Sequence, residues 1–214
     1  MANEGAIAGL AGFERALARS PSDALQSAAI AINAGAEFAE RTGRSRVHGK
    51  LNLDESYVDR NLYIHSKADS SDIVARIRAK RRGILAPRFG AKQRTAPVSS
   101  RRGRVAGDPS RGIPRGQKGA GSTAWSVLRG GRSRAWKNAF FVKLSGSGAW
   151  AMVARYGSGA GLSAKADWAK NLDVVQGYSV DQVWRNEREQ VAREAMVVAN
   201  QRFAREFERR ISGG

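Results

Sequence analysis

The 214-residue chain contains no cysteine, which excludes disulfides and thiolate metal sites and fits a reducing compartment. Its apolar runs, such as Ala139–Val142, are far shorter than the roughly 20 residues that a membrane-spanning helix needs. The N-terminus carries Glu4 where a cleavable signal peptide would carry basic residues. The sequence therefore predicts a protein with neither a membrane span nor a signal peptide.

Histidine is also scarce. His48 lies in a predicted Gly-flanked loop and His65 in a predicted strand, and neither has a second ligand at helical or hairpin spacing, so we expect no metal site. The stretch 116–123 looks like a phosphate-binding loop, but it lacks the Gly-Lys-Ser/Thr order and follows no apolar strand.

Carboxylates are scarce where a hydrolase acting on nucleic acid would need them. The densest cluster, Asp54, Glu55 and Asp59, is typical of helix caps and surface charges, and the basic centre of the chain holds only Asp108. No Ser-His-Asp, Cys-His or Gly-x-Ser-x-Gly arrangement is present. We therefore expect no enzymatic activity, no cofactor and no small-molecule substrate.

Positive charge is abundant and localised. The net charge is +18, and residues 73–137 hold 18 Lys and Arg against one Asp, together with 10 glycines and four of the five prolines. The flanking segments are close to neutral, so one central segment holds nearly all the excess. A surplus of this size points to a polyanionic partner, usually nucleic acid.

The basic segment shows no sustained apolar period between Ser99 and Arg134, so by itself it is expected to be flexible. It fits either a solvated loop or an arm that orders on DNA or on an acidic neighbouring subunit. Trp125 and Trp136 are the aromatic residues that could stack on single-stranded bases. The predicted contact residues are Arg81, Arg82, Arg101, Arg102, Arg104, Arg111, Arg115, Lys118, Arg129, Arg132 and Arg134.

Apolar periodicity predicts three main helices. The first spans residues 5–19, and the second starts at Pro21 behind a Ser20 cap, runs to about residue 41 and stops at Gly43. The alanine-rich face of the second helix predicts close helix packing. A short helix is predicted at 53–57, and the longest helix runs over 179–211.

Two β-hairpins are predicted between the helices. The first pairs residues 61–65 with 73–78 across turn residues 68–72, and the second pairs 139–144 with 150–156 across Ser145–Gly148. The fold class is therefore α+β, with a small antiparallel sheet of two hairpins packed by two N-terminal helices and a long C-terminal helix.

The C-terminal helix is expected to be longer than so small a sheet can cover. At about 33 residues it would extend roughly 50 Å, so either it bends or part of its apolar stripe meets another subunit. The predicted subunit-interface residues are Val191, Val198, Phe203, Phe207 and Ile211.

The order of the segments adds a family resemblance. Two helices and the strand 73–77 precede the basic stretch, and 139–144, 152–157, 177–184 and a helix ending at 205–211 follow it. Over residues 5–90 and 135–212 this order resembles the prophage minor tail protein Z family, and more distantly the tail-completion and neck proteins of long-tailed phages. Tyr178 stands where relatives tend to have proline in a Gly-Pro-Ser-Val turn.

The resemblance implies a structural virion protein of the tail or neck, made in the bacterial host cytoplasm. It implies one domain over 1–214, with 83–135 as a basic insertion arm, that assembles as a ring at the head-proximal end of the tail. The implied partners are other copies, neighbouring neck and tail proteins and possible DNA in the channel, with no membrane. The alternative is a sequence-nonspecific nucleic-acid-binding module acting through the insertion, and a third hypothesis is a metal-dependent nuclease.

Overall fold

The computed structural model describes residues 4–98, 107–137, 139–155 and 172–212. The described residues form four α-helices and several small antiparallel sheets, which confirms the predicted α+β class. The chain divides into two compact units. Unit 1 comprises residues 1–50, 54–82 and 179–214, and unit 2 comprises 51–53 and 83–178.

Unit 1 is built on three helices: α1 (Glu4–Arg19), α2 (Pro21–Lys50) and α4 (Val180–Ser212). The predicted starts of α2 and α4 are confirmed to within a residue. At the start of α2 the Ser20 carbonyl accepts the Ala24 N–H at 3.0 Å, and the Ser20 hydroxyl donates to Asp23 at 2.6 Å.

The predicted end of α2 is wrong, because the helix continues past Gly43 to Lys50. Gly43 is buried against α4, where a methyl group on its Cα would lie 2.5 Å from the Trp184 ring. Glycine is therefore present to allow close approach of the two helices, and not to end one.

Small residues recur at nearly every fourth position along the face that α2 buries, in agreement with the predicted close packing of this helix. The buried series is Ser27, Ala31, Gly35, Ala39, Gly43 and Val47. At Gly35 an added Cβ would lie 3.0 Å from the carbonyl oxygen of Ala195 on α4. The spacing matches the i, i+4 rows along which helices pack against one another.

α4 packs along α2, and this contact bears on the expectation that α4 is too long for a small sheet to cover. The two helices have 33 and 30 residues, roughly 50 and 45 Å at 1.5 Å per residue. Much of the predicted α4 stripe is therefore covered within the chain, since α2 is longer than the sequence indicated. The buried apolar residues of α4 are Val180, Val183, Val191, Ala195 and Ala199.

The first predicted hairpin is confirmed with shifted ends. A short helix, α3 (Glu55–Asn61), leads into β1 (Leu62–Ser66), which pairs antiparallel with β2 (Arg76–Ala79). The carboxylate of Asp69 organises the link by accepting from the Ser71 hydroxyl at 2.6 Å. That hydrogen bond lowers the pKa of Asp69.

Unit 2 is a set of small antiparallel sheets. The second predicted hairpin is confirmed as β6 (Ala139–Lys143) and β7 (Trp150–Arg155), whereas Tyr156 lies outside the described residues. β8 (Leu172–Val174) joins β7 to make three strands. The remaining strands are β3 (Ile84–Leu85) paired with β9 (Gln176–Gly177), and β4 (Gln93–Pro97) paired with β5 (Gln117–Ser122).

The stretch expected to lack regular structure contains β5, so that expectation is wrong for 117–122. β5 has no apolar alternation of its own, and it forms by pairing with β4, whose paired residues lie 20 to 29 positions earlier in the chain. The structure thus places 83–135 in the same compact unit as β6, β7 and β8. The core of unit 2 includes Ile84, Phe89, Trp125, Phe141, Ala151 and Met152.

Candidate polyanion-binding and assembly surfaces

Unit 2 contains most of the positive charge of the chain. Its sequence holds 17 Lys and Arg against three Asp and no Glu, a net charge of +14 out of +18. Unit 1 has the remaining 20 basic and 16 acidic residues, a net charge of +4. Of the 18 cations predicted for residues 73–137, 13 therefore lie in unit 2, and the five at positions 76–82 lie in unit 1.

The strands β4 and β5 form a two-stranded ribbon with cations on one face. Ala96 pairs with Lys118, and Arg94 shares their face because it lies two residues before Ala96. Arg94 and Lys118 are both exposed. We call Arg94, Ala96 and Lys118 the basic ribbon face.

The ribbon is fixed from its other side by Gln93. The Gln93 amide nitrogen donates to the Gly121 carbonyl at 2.9 Å, and its amide oxygen accepts from the Phe141 N–H at 3.0 Å. The side chain therefore connects both ribbon strands to β6. This role follows from a partner 48 residues away, which sequence periodicity does not reveal.

Two predicted cations lie in the loop before β5. The Arg111 guanidinium lies 5.1 Å from the centroid of the Phe140 ring, and its Nε is 3.2 Å from a carboxylate oxygen of Asp108. Arg115 is exposed beside Gly116, whose φ is +79° and whose Cα faces open space.

Arg129 has a structural role that the prediction missed. Its Nε donates to the Leu51 carbonyl at 3.2 Å, and Nη2 lies 3.5 Å from the Leu53 carbonyl oxygen. The guanidinium therefore helps to hold residues 51–53 in unit 2. Arg132 and Arg134 are exposed.

The remaining predicted cations are scattered. Arg81 and Arg82 belong to unit 1, where Arg81 is exposed with its Nε 3.9 Å from Asp181. Arg101, Arg102 and Arg104 lie outside the described residues. The structure brings Arg115 and Lys118 to one end of the ribbon, and adds Arg94, which the prediction omitted.

The predicted aromatic platform for single-stranded bases does not form at Trp125. This residue is 9% exposed and stacks on Phe89, with ring centroids 6.1 Å apart. Trp136 is half-buried. Because Trp125 belongs to the core, it is not available to stack on a base.

Val191 is wrong as a subunit-interface residue, because it is completely buried inside unit 1. Its side chain packs with Ala39 and Ala195, and with Trp184 at their edge. Val191 therefore contributes to the core.

The other predicted interface residues of α4 remain partly accessible. Phe203 and Phe207 are half-buried and stack with centroids 5.8 Å apart, and Phe13 of α1 meets Phe203 edge-on at 5.7 Å. Val198 is half-buried in an open groove of about 560 Å³ between α2 and α4, and Ile211 is exposed. The prediction missed Met196 and Val197, which are 51% and 54% exposed.

A buried carboxylate connects α4 to the last turns of α2. Glu187 accepts from Lys50, and its second oxygen lies 3.5 Å from Arg46, which also donates to Glu194 at 2.6 Å. The hydrogen bond from Lys50 lowers the pKa of Glu187, and Arg46 acts in the same direction.

The predicted loop position of His48 is wrong, since His48 lies in the last turn of α2. His65 lies in β1, as predicted. Within residues 4–98, 107–137, 139–155 and 172–212, no group of three or more His, Asp and Glu could hold a metal ion. No helix in this same part of the chain is long and apolar enough to cross a membrane.

Comparison of the chain with protein-family models, with curated proteins and with solved structures gives no match.

Proposed function

We propose that this chain is a structural component of a tailed-phage particle. It acts as a minor tail or tail-completion protein at the head-proximal end of the tail, and it assembles there as an oligomeric ring. The observation that carries this proposal is the element order: two helices, a hairpin, a basic β-rich stretch, a second hairpin and a long C-terminal helix.

The segments behind the family resemblance coincide with structural elements. Residues 139–143 form β6, and 152–155 lie in β7. In the turn into α4, the Ser179 hydroxyl accepts the Gln182 N–H at 3.1 Å, and the Gln182 amide oxygen accepts the Ser179 N–H at 2.8 Å. This reciprocal cap supports the resemblance on physical grounds, because the serine of the Gly-x-Ser-Val turn caps the N-terminus of α4.

Self-association would use the apolar side chains that α4 leaves at the surface. Met196 and Val197 are adjacent and more than half exposed, and Ile211 is exposed at the end of the helix. Exposed apolar groups on a rigid helix favour association with another copy or with a neighbouring neck or tail protein. On this proposal, the protein is located in the assembled phage particle.

Native mass spectrometry and negative-stain imaging test the proposal directly. The purified protein is measured alone and mixed with the neck and tail-tube proteins of the same phage. We expect a single oligomer of fixed copy number, or a ring that forms on the end of the tail tube. A persistent monomer that joins neither assembly contradicts the proposal.

A further inference from the structure

The basic ribbon face differs chemically from the surfaces that bind folded proteins. Its cations Arg94 and Lys118, with Arg115 near the end of the ribbon, are exposed, and within the described residues none of the three has a carboxylate at ion-pair distance. The large exposed hydrophobic residues described in unit 2 are all elsewhere, at Leu128, Trp150, Leu172, Val174 and Tyr178.

We propose that the β4–β5 ribbon of unit 2 binds duplex DNA through its phosphates, without sequence preference. This inference goes beyond the assembly role and does not depend on it. Protein–DNA interfaces are more polar and more positively charged than protein–protein interfaces. Interfaces between proteins are centred on apolar side chains, which the basic ribbon face lacks.

The shape of the ribbon suits a duplex. The major groove of B-DNA admits a two-stranded β-ribbon, and β4 and β5 form a separate two-stranded sheet. Between the cations, the basic ribbon face presents the methyl group of Ala96, which pairs with Lys118. The methyl group makes no hydrogen bond to a base edge, and the hydrogen bonds that the cations make to phosphates carry no sequence information.

The loop before β5 extends the same surface. Arg115 precedes Gly116, where an added Cβ would meet no atom within 4 Å. The absence of a side chain at Gly116 lets a phosphate approach the backbone while Arg115 contacts its oxygens. Trp125 is buried and Trp136 is half-buried, so neither presents a fully exposed ring, which favours duplex DNA over a single strand held by base stacking.

The experiment is a fluorescence anisotropy titration of labelled duplexes with the full chain. Two unrelated duplexes of about 30 base pairs are compared between roughly 50 and 200 mM salt. We expect equal affinity for both, falling steeply with salt. The variant Arg94→Gln, Arg115→Gln, Lys118→Gln should bind at least about tenfold more weakly, and its log–log salt slope should be shallower by roughly 2.7, about 0.9 per lost phosphate contact.

The matched control carries the same charge change on exposed positions of unit 1: Arg41→Gln, Arg60→Gln, Arg188→Gln. It should keep the affinity of the parent chain, and its log–log salt slope should differ from that of the parent chain by no more than a few tenths. A second variant, Arg94→Lys with Arg115→Lys, preserves the charge and should also bind like the parent chain.

Three results, besides a failure of the chain to bind DNA at all, would overturn the inference. They are equal binding by the ribbon variant and the unit 1 control, loss of binding in the charge-preserving variant, and binding to poly-glutamate as tight as to DNA at the same charge concentration. The anisotropy samples are also measured by native mass spectrometry. DNA binding by a persistent monomer would contradict the assembly role alone, whereas a ring that ignores DNA would contradict the ribbon inference alone.

Discussion

Gly43 does not end a helix, although a glycine at this point of a sequence usually does. In the sequence it follows an alanine-rich helix and indicates a stop, yet the helix continues for seven residues beyond it. The indole of Trp184 fills the space where a side chain would be. Its role is therefore visible only when α4 is in place.

Gly43→Ala should lower the free energy of unfolding by about 1–2 kcal/mol, because the new methyl group would overlap a ring packed against the core. Gly49→Ala is the control, since that glycine lies in the same helix with nothing near its Cα. The control should be neutral or stabilising by up to about 1 kcal/mol. Urea denaturation measures both, and equal effects would refute the packing role of Gly43.

Glu187 should give the protein a specific acid sensitivity. Because Lys50 and Arg46 lower its pKa in the folded state, the stability it contributes is fully present above the ordinary carboxyl pKa. That contribution is lost as the pH falls through the lowered pKa of the folded protein.

Glu187→Gln should cost about 1–2 kcal/mol at neutral pH, with the difference from the parent chain shrinking as the pH falls through that range. Glu189→Gln makes the same change at an exposed position of the same helix and should have little effect. Thermal unfolding from neutral to acidic pH compares the three proteins. A pH-independent loss in Glu187→Gln would show that packing, and not the charge pairing, is responsible.

At the scale of elements, the first turn of α4 has a complete reciprocal cap. Ser179 is buried, and its hydroxyl and N–H are both engaged with Gln182. The capping pattern is local in sequence, so the helix start was predictable within one residue. Tyr178 takes no part in these hydrogen bonds and is exposed, so its difference from proline leaves the cap intact.

Ser179→Ala should lower the free energy of unfolding by about 1 kcal/mol, because it removes the hydroxyl that accepts the Gln182 backbone N–H, whereas the Gln182 side-chain oxygen can still accept the backbone N–H of residue 179. Ser45→Ala, at an exposed position in the C-terminal part of α2, should be neutral or slightly stabilising. Chemical denaturation measures both. A neutral Ser179→Ala would mean that the cap does not contribute to the stability of α4.

The strands were predictable to different degrees. β6 and β7 combine apolar and aromatic residues around a Gly/Ser turn, which is a strong hairpin signal. β3, β8 and β9 have only two or three residues each, too few to show a period, and they exist because they pair with distant partners. The ribbon strand β5 is rich in glycine and shows no apolar period, so its sequence does not predict a strand, and it too exists because it pairs with a distant partner.

At the scale of the whole molecule, the proposed assembly surface can be tested apart from the DNA-binding surface. Met196→Asp with Val197→Asp should shift the oligomer toward monomer, since two carboxylates would be buried at an apolar contact. Asn186→Asp with Gln190→Asp introduces the same charge on exposed polar positions of α4. Light scattering at matched concentrations should find this control unchanged, and an oligomer that survives both changes would locate the interface elsewhere.

The sequence by itself determined the α+β class, the main helices, two hairpins and the localised positive charge, because periodicity, turn chemistry and charge are local properties of the chain. Tertiary contacts decided the rest. They bury Val191 against Ala39, direct Arg129 to the carbonyls of Leu51 and Leu53, and pair β4 with β5 so that Arg94 joins Lys118 on one face. Arginines and lysines that look alike in the sequence therefore have different roles, since some bond within the fold and others are exposed. Only the packing of distant residues determines which role each of them has.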